Sequence, residues 1–288
     1  MTLQSMERFG ESKYEAKRDG TMQYGIYSFS TAKTYNRDCQ KFAEYVKEHG
    51  RAGRYTPLRE TKDLAKEFLA KEIASGKSAY SLKLERSALA KLFGVPGKEL
   101  AHIQDRSRAD ITRSRERYVT SEKTGKQILN PSSRAGHFSE KNHPQLVEFC
   151  KSTGLRRAEL EKLRGDQFYK DEKGDYRIHL GDNQAKGGRD RDIHVLRNNE
   201  LVRELCERAG HDRVFGKLPQ FDVHNYRSEY ATERYKDLAR DIKDVPREER
   251  YYCKGDRKGE VFDKAAMKIV SEDLGHSRIN VIAGHYLR

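Results

Sequence analysis

The residues best suited to chemistry lie far apart in this 288-residue chain. Arg156 follows the glycine of TGLRRAEL, with Glu159 three positions further on. Lys186 stands beside Gly187 and Gly188 in GDNQAKGGR. His224 and Arg227, in HNYR, are three apart and so share one face of a helix, where the cation would hold the histidine neutral. Gly275 and His276 open a turn, and Tyr286 follows ten residues after the histidine. Guanidinium forks stay charged at any relevant pH and bind two oxygens each, which suits an anionic electrophile. Imidazoles can add hydrogen bonds or move a proton, and a phenol can attack. Taken singly, each residue has a plainer reading: a surface arginine, an inert hairpin lysine, a helix-face carboxylate, a tyrosine on the surface.

Other chemistries find less support. His224, His276 and His285 are too dispersed for a zinc pattern such as HExxH. GDNQAKGGR lacks the spacing of a phosphate-binding loop, and no run of carboxylates suggests a two-metal nuclease. The cysteines, Cys39, Cys150, Cys206 and Cys253, form no CxxC or Cys/His cluster, so reduced thiols in a cytosol are the simple reading.

Charge points to a partner. The chain holds 58 Lys and Arg against 45 Asp and Glu, for a net +13, and is 36% charged. A pI near 9.4 is the usual footprint of a protein that meets nucleic acid. The N-terminal MTLQSMERFGESKY has no apolar signal core, and no run approaches membrane-spanning length. A soluble intracellular protein is expected.

The elements that must position these residues fall into two groups. From Ser30, STAKTYNRDCQKFAEYVKEHG predicts a helix with Ala32, Tyr35, Cys39, Phe42, Ala43 and Val46 on one stripe, Ser30 or Thr31 as cap and Gly50 as stop. TKDLAKEFLAKEIASG predicts a second, burying Leu64, Ala65, Phe68, Leu69 and Ile73. SAYSLKLERSALAKLFG predicts a third, ended by Gly94 and Pro96, and a short helix over Ser12–Lys17 precedes them. Residues 106 to 126 are basic and without apolar periodicity, and read as an exposed linker.

The second half is mixed. HPQLVEFCKSTG, RRAELEKL, NNELVRELCERAG, VHNYRSEYATERYKDLAR and DKAAMKIVSEDLG predict helices. DYRIHL and RDIHVL alternate and predict a hairpin around GDNQAKGGR. DIKDVPREERYYCKGDRKGEVF reads as a charged loop or small hairpin. The expected fold is α+β, mainly α: a helical bundle over 1–105, a basic linker over 106–130, and a mixed α/β domain with a small β-hairpin sheet over 131–288.

The order of the reactive residues is more telling than any one of them. Arg in TGLRRAEL, Lys in a β-hairpin, HNYR, then LGHSRINVIAGHY resembles the tyrosine site-specific recombinases, the phage integrase family, over the whole chain. The resemblance implies a core-site DNA-binding bundle followed by a catalytic domain. It implies a recombinase that cuts and rejoins DNA through a 3′-phosphotyrosine, without metal, ATP or other cofactor. By resemblance the catalytic residues are Arg156, Lys186, His224, Arg227, His276 and Tyr286, with Glu159 supporting Arg156.

In that scheme the arginines clamp the phosphate, the histidines add hydrogen bonds or help move the phenol proton, and Tyr286 attacks phosphorus. Lys186 is the general acid for the leaving 5′-oxygen. An ordinary phenol, with a pKa of about 10, needs such a cationic pocket to attack as phenolate. Double-stranded DNA is the implied partner, contacted by Arg106, Arg108, Arg113, Arg115 and Arg117 of the linker and by Lys33 and Arg37 of the bundle.

A homotetramer in the synapse, an accessory DNA-bending or directionality protein, and a cytoplasmic, nucleoid-associated place in a bacterium or phage follow in the same way. Integration or excision of a phage or mobile element is the first expectation. Resolution of replicon dimers, relaxation in the manner of a type IB topoisomerase, and a DNA-binding protein without catalysis are the alternatives.

Three departures stand out. Ser228 follows Arg227 where the family often has His. Residues 241–262 read as an insertion carrying an extra DNA contact. The chain ends two residues after Tyr286, so an exchange of segments between subunits is expected to use another element or to be absent; with no room for an arm-site domain before the bundle, binding to core sites alone is expected.

Overall fold

A computed structural model describes residues 8, 10, 11, 13–20, 25–49, 57–104, 118–121, 123–129, 138–185 and 190–287. The chain forms two compact units, Met1–Ser107 and Arg108–Arg288.

The first unit is helical. After the short α1 (Lys13–Arg18) come α2 (Phe29–Glu48), α3 (Lys62–Ala74) and α4 (Ala79–Phe93). α2 begins at Phe29 because the side chain of Ser28, in extended backbone, accepts from the amide of Thr31 at 3.2 Å. The cap is thus Ser28 and not Ser30 or Thr31; the expected stop, Gly50, lies outside the described residues. Ser78 caps α4, which ends at Gly94 in left-handed backbone.

Phe42, Tyr45, Val46, Leu64, Phe68, Leu69 and Leu89 pack together, with the Phe42 and Phe68 rings edge to face. The buried stripe of α2 differs from the expected one. Tyr35 is half-buried and Ala43 exposed, while Asp38 and Tyr45 are buried. A buried Asp38 is tolerable because Arg37 and Lys41 reach its carboxylate, and buried Glu85 is likewise paired with Lys41 and Lys77. Ile73 is exposed, since α3 turns only its other apolar positions inward.

The second unit opens with β1 (Tyr118–Thr120) and β2 (Gln127–Leu129), an antiparallel pair inside the segment expected to be linker. α5 (Pro144–Thr153) starts on its proline and stops at Gly154. α6 (Arg157–Leu160) is a single turn, shorter than RRAELEKL suggests. β3 (Phe168–Lys170), β4 (Tyr176–Leu180) and β5 (Arg191–His194) form an antiparallel sheet in that order, pairing Phe168 with Ile178 and Ile178 with Ile193. β3 is too short for alternation to betray it.

α7 (Asn199–Ala209) and α8 (Val223–Leu238) follow, then the hairpin β6 (Arg250–Tyr252) and β7 (Val261–Asp263), α9 (Lys264–Asp273) and α10 (Asn280–His285). Asp222 and Asp263 cap α8 and α9 through their carboxylates. One core joins the sheet to the helices through Phe149, Leu160, Ile178, Ile193, Tyr230, Met267 and Ile282. Each such side chain contributes about 1.5–3 kcal/mol by leaving water. The fold is α+β and mainly α. No helix of the described residues is long and apolar enough to cross a membrane.

Candidate active site

Gly154 sets the entrance to the site. Its φ is +59°, and an added Cβ would lie 2.5 Å from the Tyr230 ring. Only glycine reverses the chain here without strain or a clash. Beyond it Leu155 enters the core and Arg156 becomes the N-cap of α6. Glu159, at the third helical position, accepts the Arg156 amide at 2.8 Å and its Nη1 at 2.7 Å. Arg156 Nη2 donates to the Leu274 carbonyl at 2.9 Å.

Glu159 is buried, which alone would raise its pKa. The guanidinium groups of Arg191, Arg227 and Arg156 outweigh that and hold it at about 2. Arg191 reaches Glu159 Oε1 with Nη2 at 2.8 Å and the Asp273 carbonyl with Nε at 3.1 Å. It is a site residue that the motif reading passes over. A signal for it exists: opposite Leu180 and two residues from Ile193, it sits on the inward face of β5. A charge on an apolar strand face asks for a buried partner.

Arg227 is wholly buried on α8. Its Nη1 donates to the Gly154 carbonyl, its Nη2 to the Leu274 carbonyl, and its Nε to the Tyr286 hydroxyl at 3.3 Å. Burial lowers its pKa to about 10, with Tyr286 opposing the shift, so it stays a cation at neutral pH. Arg156 and Arg227 therefore meet on one carbonyl, that of Leu274, at the end of α9.

The chain then turns through Gly275, whose φ is +63° and whose added Cβ would fall 2.8 Å from Arg191 Nη1. His276 is fixed by its amide donating to Ser271 O at 2.8 Å, and its Nε2 lies 3.2 Å from the Tyr286 hydroxyl. Tyr286 caps α10. Its amide donates to Ile282 O at 3.0 Å, its carbonyl accepts from Thr232 Oγ1 at 3.2 Å, and its side chain is largely buried.

The structure thus gathers Arg156, Glu159, Arg227, His276 and Tyr286, and adds Arg191. His224 is placed otherwise. It stands exposed in the first turn of α8, its amide donating to Asp222 Oδ1 at 3.0 Å, while Arg227 one turn on is buried. Lys33 and Arg37 are exposed on α2. Lys186, Arg106, Arg108, Arg113, Arg115 and Arg117 lie outside the described residues.

Chemically the cluster carries a surplus of positive charge, three guanidinium groups around one carboxylate. A phenol held there has a cationic N–H donor and an imidazole nitrogen both within hydrogen-bond distance of its oxygen. The donor stabilises a phenolate, and the imidazole can take its proton.

No family model matches the chain, and no curated protein matches it. Among solved structures it is similar to the Tn1549 transposon integrase in complex with transposon right end DNA, at 11% identity and a TM-score of 0.46, covering 96% of this chain and 95% of that one. It is also similar to the XerH site-specific recombinase bound to difH substrate in a pre-cleavage complex, at 17% identity and a TM-score of 0.46, covering 96% and 82%. The chemistry of the site follows from its own residues.

Proposed function

We propose that this chain is a site-specific DNA recombinase that cuts and rejoins double-stranded DNA through a 3′-phosphotyrosine. One observation carries the reading: the Tyr286 hydroxyl is within hydrogen-bond distance of both Arg227 Nε, at 3.3 Å, and His276 Nε2, at 3.2 Å, in a cluster with excess positive charge. The resemblance of TGLRRAEL, HNYR and LGHSRINVIAGHY to the tyrosine recombinases points the same way.

In the first step the Tyr286 oxygen bonds to phosphorus, the bond from phosphorus to the 5′-oxygen breaks, and the 5′-oxygen leaves as a hydroxyl. His276 takes the phenol proton and Lys186 supplies the proton to the leaving group. Arg156 and Arg227 offset the charge that builds on the nonbridging oxygens, with His224 as a further donor. Attack by a 5′-hydroxyl from another strand reverses the step and joins new ends. The phosphotyrosine conserves the bond energy, so the scheme calls for neither ATP nor metal.

The helical bundle serves as core-site DNA-binding domain through Lys33 and Arg37, and the basic segment from Arg106 to Arg117 tracks phosphates. Four protomers act on two duplexes, assisted by DNA-bending or directionality proteins, in integrating or excising a mobile element. A bacterial or phage setting in the cytoplasm fits that role.

The test uses a nicked duplex carrying a site selected for binding from a random-sequence pool. Wild-type protein should form an adduct that survives denaturation. Tyr286→Phe should bind the duplex as tightly and form none. An adduct in the variant would mean another nucleophile. Relaxation of supercoiled plasmid without sequence preference would favour a topoisomerase.

A further inference from the structure

The segment 241–262 reads in sequence as an insertion, and its fold turns part of it inward. Its base is fastened to the catalytic unit. Arg240 grips Asp263 with Nε at 2.8 Å and Nη2 at 2.9 Å, and Nη2 also reaches Glu249 at 2.7 Å. The Asp263 amide donates to the Tyr235 hydroxyl of α8 at 2.8 Å. From that base β6 and β7 run out, and the turn between them, a single 3₁₀ turn over Gly255–Arg257, carries Arg257.

Arg257 does not face solvent, although it belongs to a highly charged loop. Only 9% of it is exposed, and its guanidinium lies over the Phe262 ring at 5.0 Å. Glu260 holds one edge of the fork, accepting Nε at 2.6 Å and also Nη2. The other edge points at the backbone of the last helix. Nη1 donates to the Ala283 carbonyl and, at 3.3 Å, to that of Leu287. Those two carbonyls bracket Tyr286.

α10 has six residues, and a helix so short is not stable by itself. Arg257 adds a charged donor to the carbonyls of Ala283 and Leu287, and a cation at a helix C-terminus suits the helix dipole. Attack on phosphorus is sensitive to the placement of the nucleophile: a shift of about 1 Å can cost on the order of 100-fold in rate.

We infer that Arg257 is a positioning residue for Tyr286: the 241–262 hairpin presents a guanidinium, oriented by Glu260, that clasps the end of α10 and holds the phenol over the Arg156–Arg227 cluster. The inference rests on Tyr286 being the nucleophile. It gives 241–262 a role beside the expected extra DNA contact.

The test separates placement of the phenol from integrity of the pocket. On the nicked duplex, Arg257→Ala should form the covalent adduct about 30- to 100-fold more slowly than wild type, with DNA affinity within about 2-fold. Hydrogen peroxide, a small external nucleophile, can attack the same phosphorus in place of the phenol, expelling the 5′-hydroxyl. In a Tyr286→Phe background, peroxide-driven cleavage should proceed equally fast with and without Arg257→Ala, because the anion-binding cluster is untouched. An unchanged adduct rate in Arg257→Ala would overturn the inference. So would equal loss of adduct and of peroxide cleavage, which would mark Arg257 as a support of the whole fold. If wild-type protein forms no adduct while peroxide cleaves, the nucleophile assignment itself fails, and the inference falls with it.

Discussion

Arg227 Nε donates to the Tyr286 hydroxyl at 3.3 Å, although 59 residues separate the two in the chain. The same guanidinium spends its other nitrogens on the carbonyls of Gly154 and Leu274. One buried cation therefore ties three segments together: the turn after α5, the turn after α9, and the C-terminal tyrosine. The residue that would stabilise the reacting phosphate is also the one that holds its surroundings in register.

Arg227→Lys separates those two tasks. A lysine keeps the charge and can reach one acceptor, but it loses the fork. Adduct formation on a nicked duplex should fall by at least about 100-fold, with binding affinity within about 3-fold, since the charge matters most in the transition state. Carbonyls left without donors should lower stability by about 2–4 kcal/mol in urea unfolding. Equal losses of cleavage and of binding would make Arg227 a simple phosphate anchor.

Glu159 predicts an acid limb of stability. Its pKa falls from an ordinary 4.5 to about 2 in the folded chain. The folded state thus prefers the carboxylate, and the gain is fully present above about pH 5. It is lost as pH falls through 2, and a shift of this size corresponds to about 3 kcal/mol. Asp263, also held at about 2 through hydrogen bonds from Arg240, acts with the same sign. Urea midpoints of wild type and Glu159→Gln should therefore converge as pH drops from 5 to 2, after allowing for Asp263 in both. Parallel curves would show that Glu159 is not held ionised by its arginines.

Gly154→Ala should damage the fold before the chemistry. The residue combines a φ of +59° with a Cβ position 2.5 Å from the Tyr230 ring. A penalty of about 2–4 kcal/mol is expected from strain and overpacking together. Thermal unfolding would reveal it, and a melting temperature within a degree of wild type would contradict the close approach.

Salt dependence tests the polyanion. With a net charge of +13, DNA affinity should drop steeply as salt rises. Replacing an exposed bundle residue, Lys33 or Arg37, by Ala should weaken binding on all sequences and reduce the slope of log K against log salt by about 1. A slope unchanged by either substitution would remove that face of α2 from the interface.

Much of the local structure is readable because its causes are local. Gly94 and Gly154 end helices in left-handed backbone that other residues avoid, and the alternation of DYRIHL and RDIHVL marks the two longer strands. Caps were less legible: Ser28, Ser30 and Thr31 all qualify by type, and the extended backbone of Ser28 chose among them. The burial of Asp38 and Glu85 is not legible in the sequence, since it depends on α2 packing so that its Lys41 lies near both carboxylates, that of Asp38 on its own helix and that of Glu85 on α4. His224 and Arg227, three apart on α8, sit at different depths, the first exposed and the second buried, because packing sets how deep each position of a helix lies.

The sequence by itself determined the order of the reactive types, the helix stops that deliver them, and the positive charge, for each depends on neighbours a few residues away. Only the tertiary structure decided that Arg156 and Arg227 meet on the Leu274 carbonyl, that Arg191 shares Glu159, and that Arg257 clasps the end of α10. Those contacts join residues 26 to 118 positions apart. Such distances close only when the core has fixed the direction of each side chain, and no spacing rule encodes that.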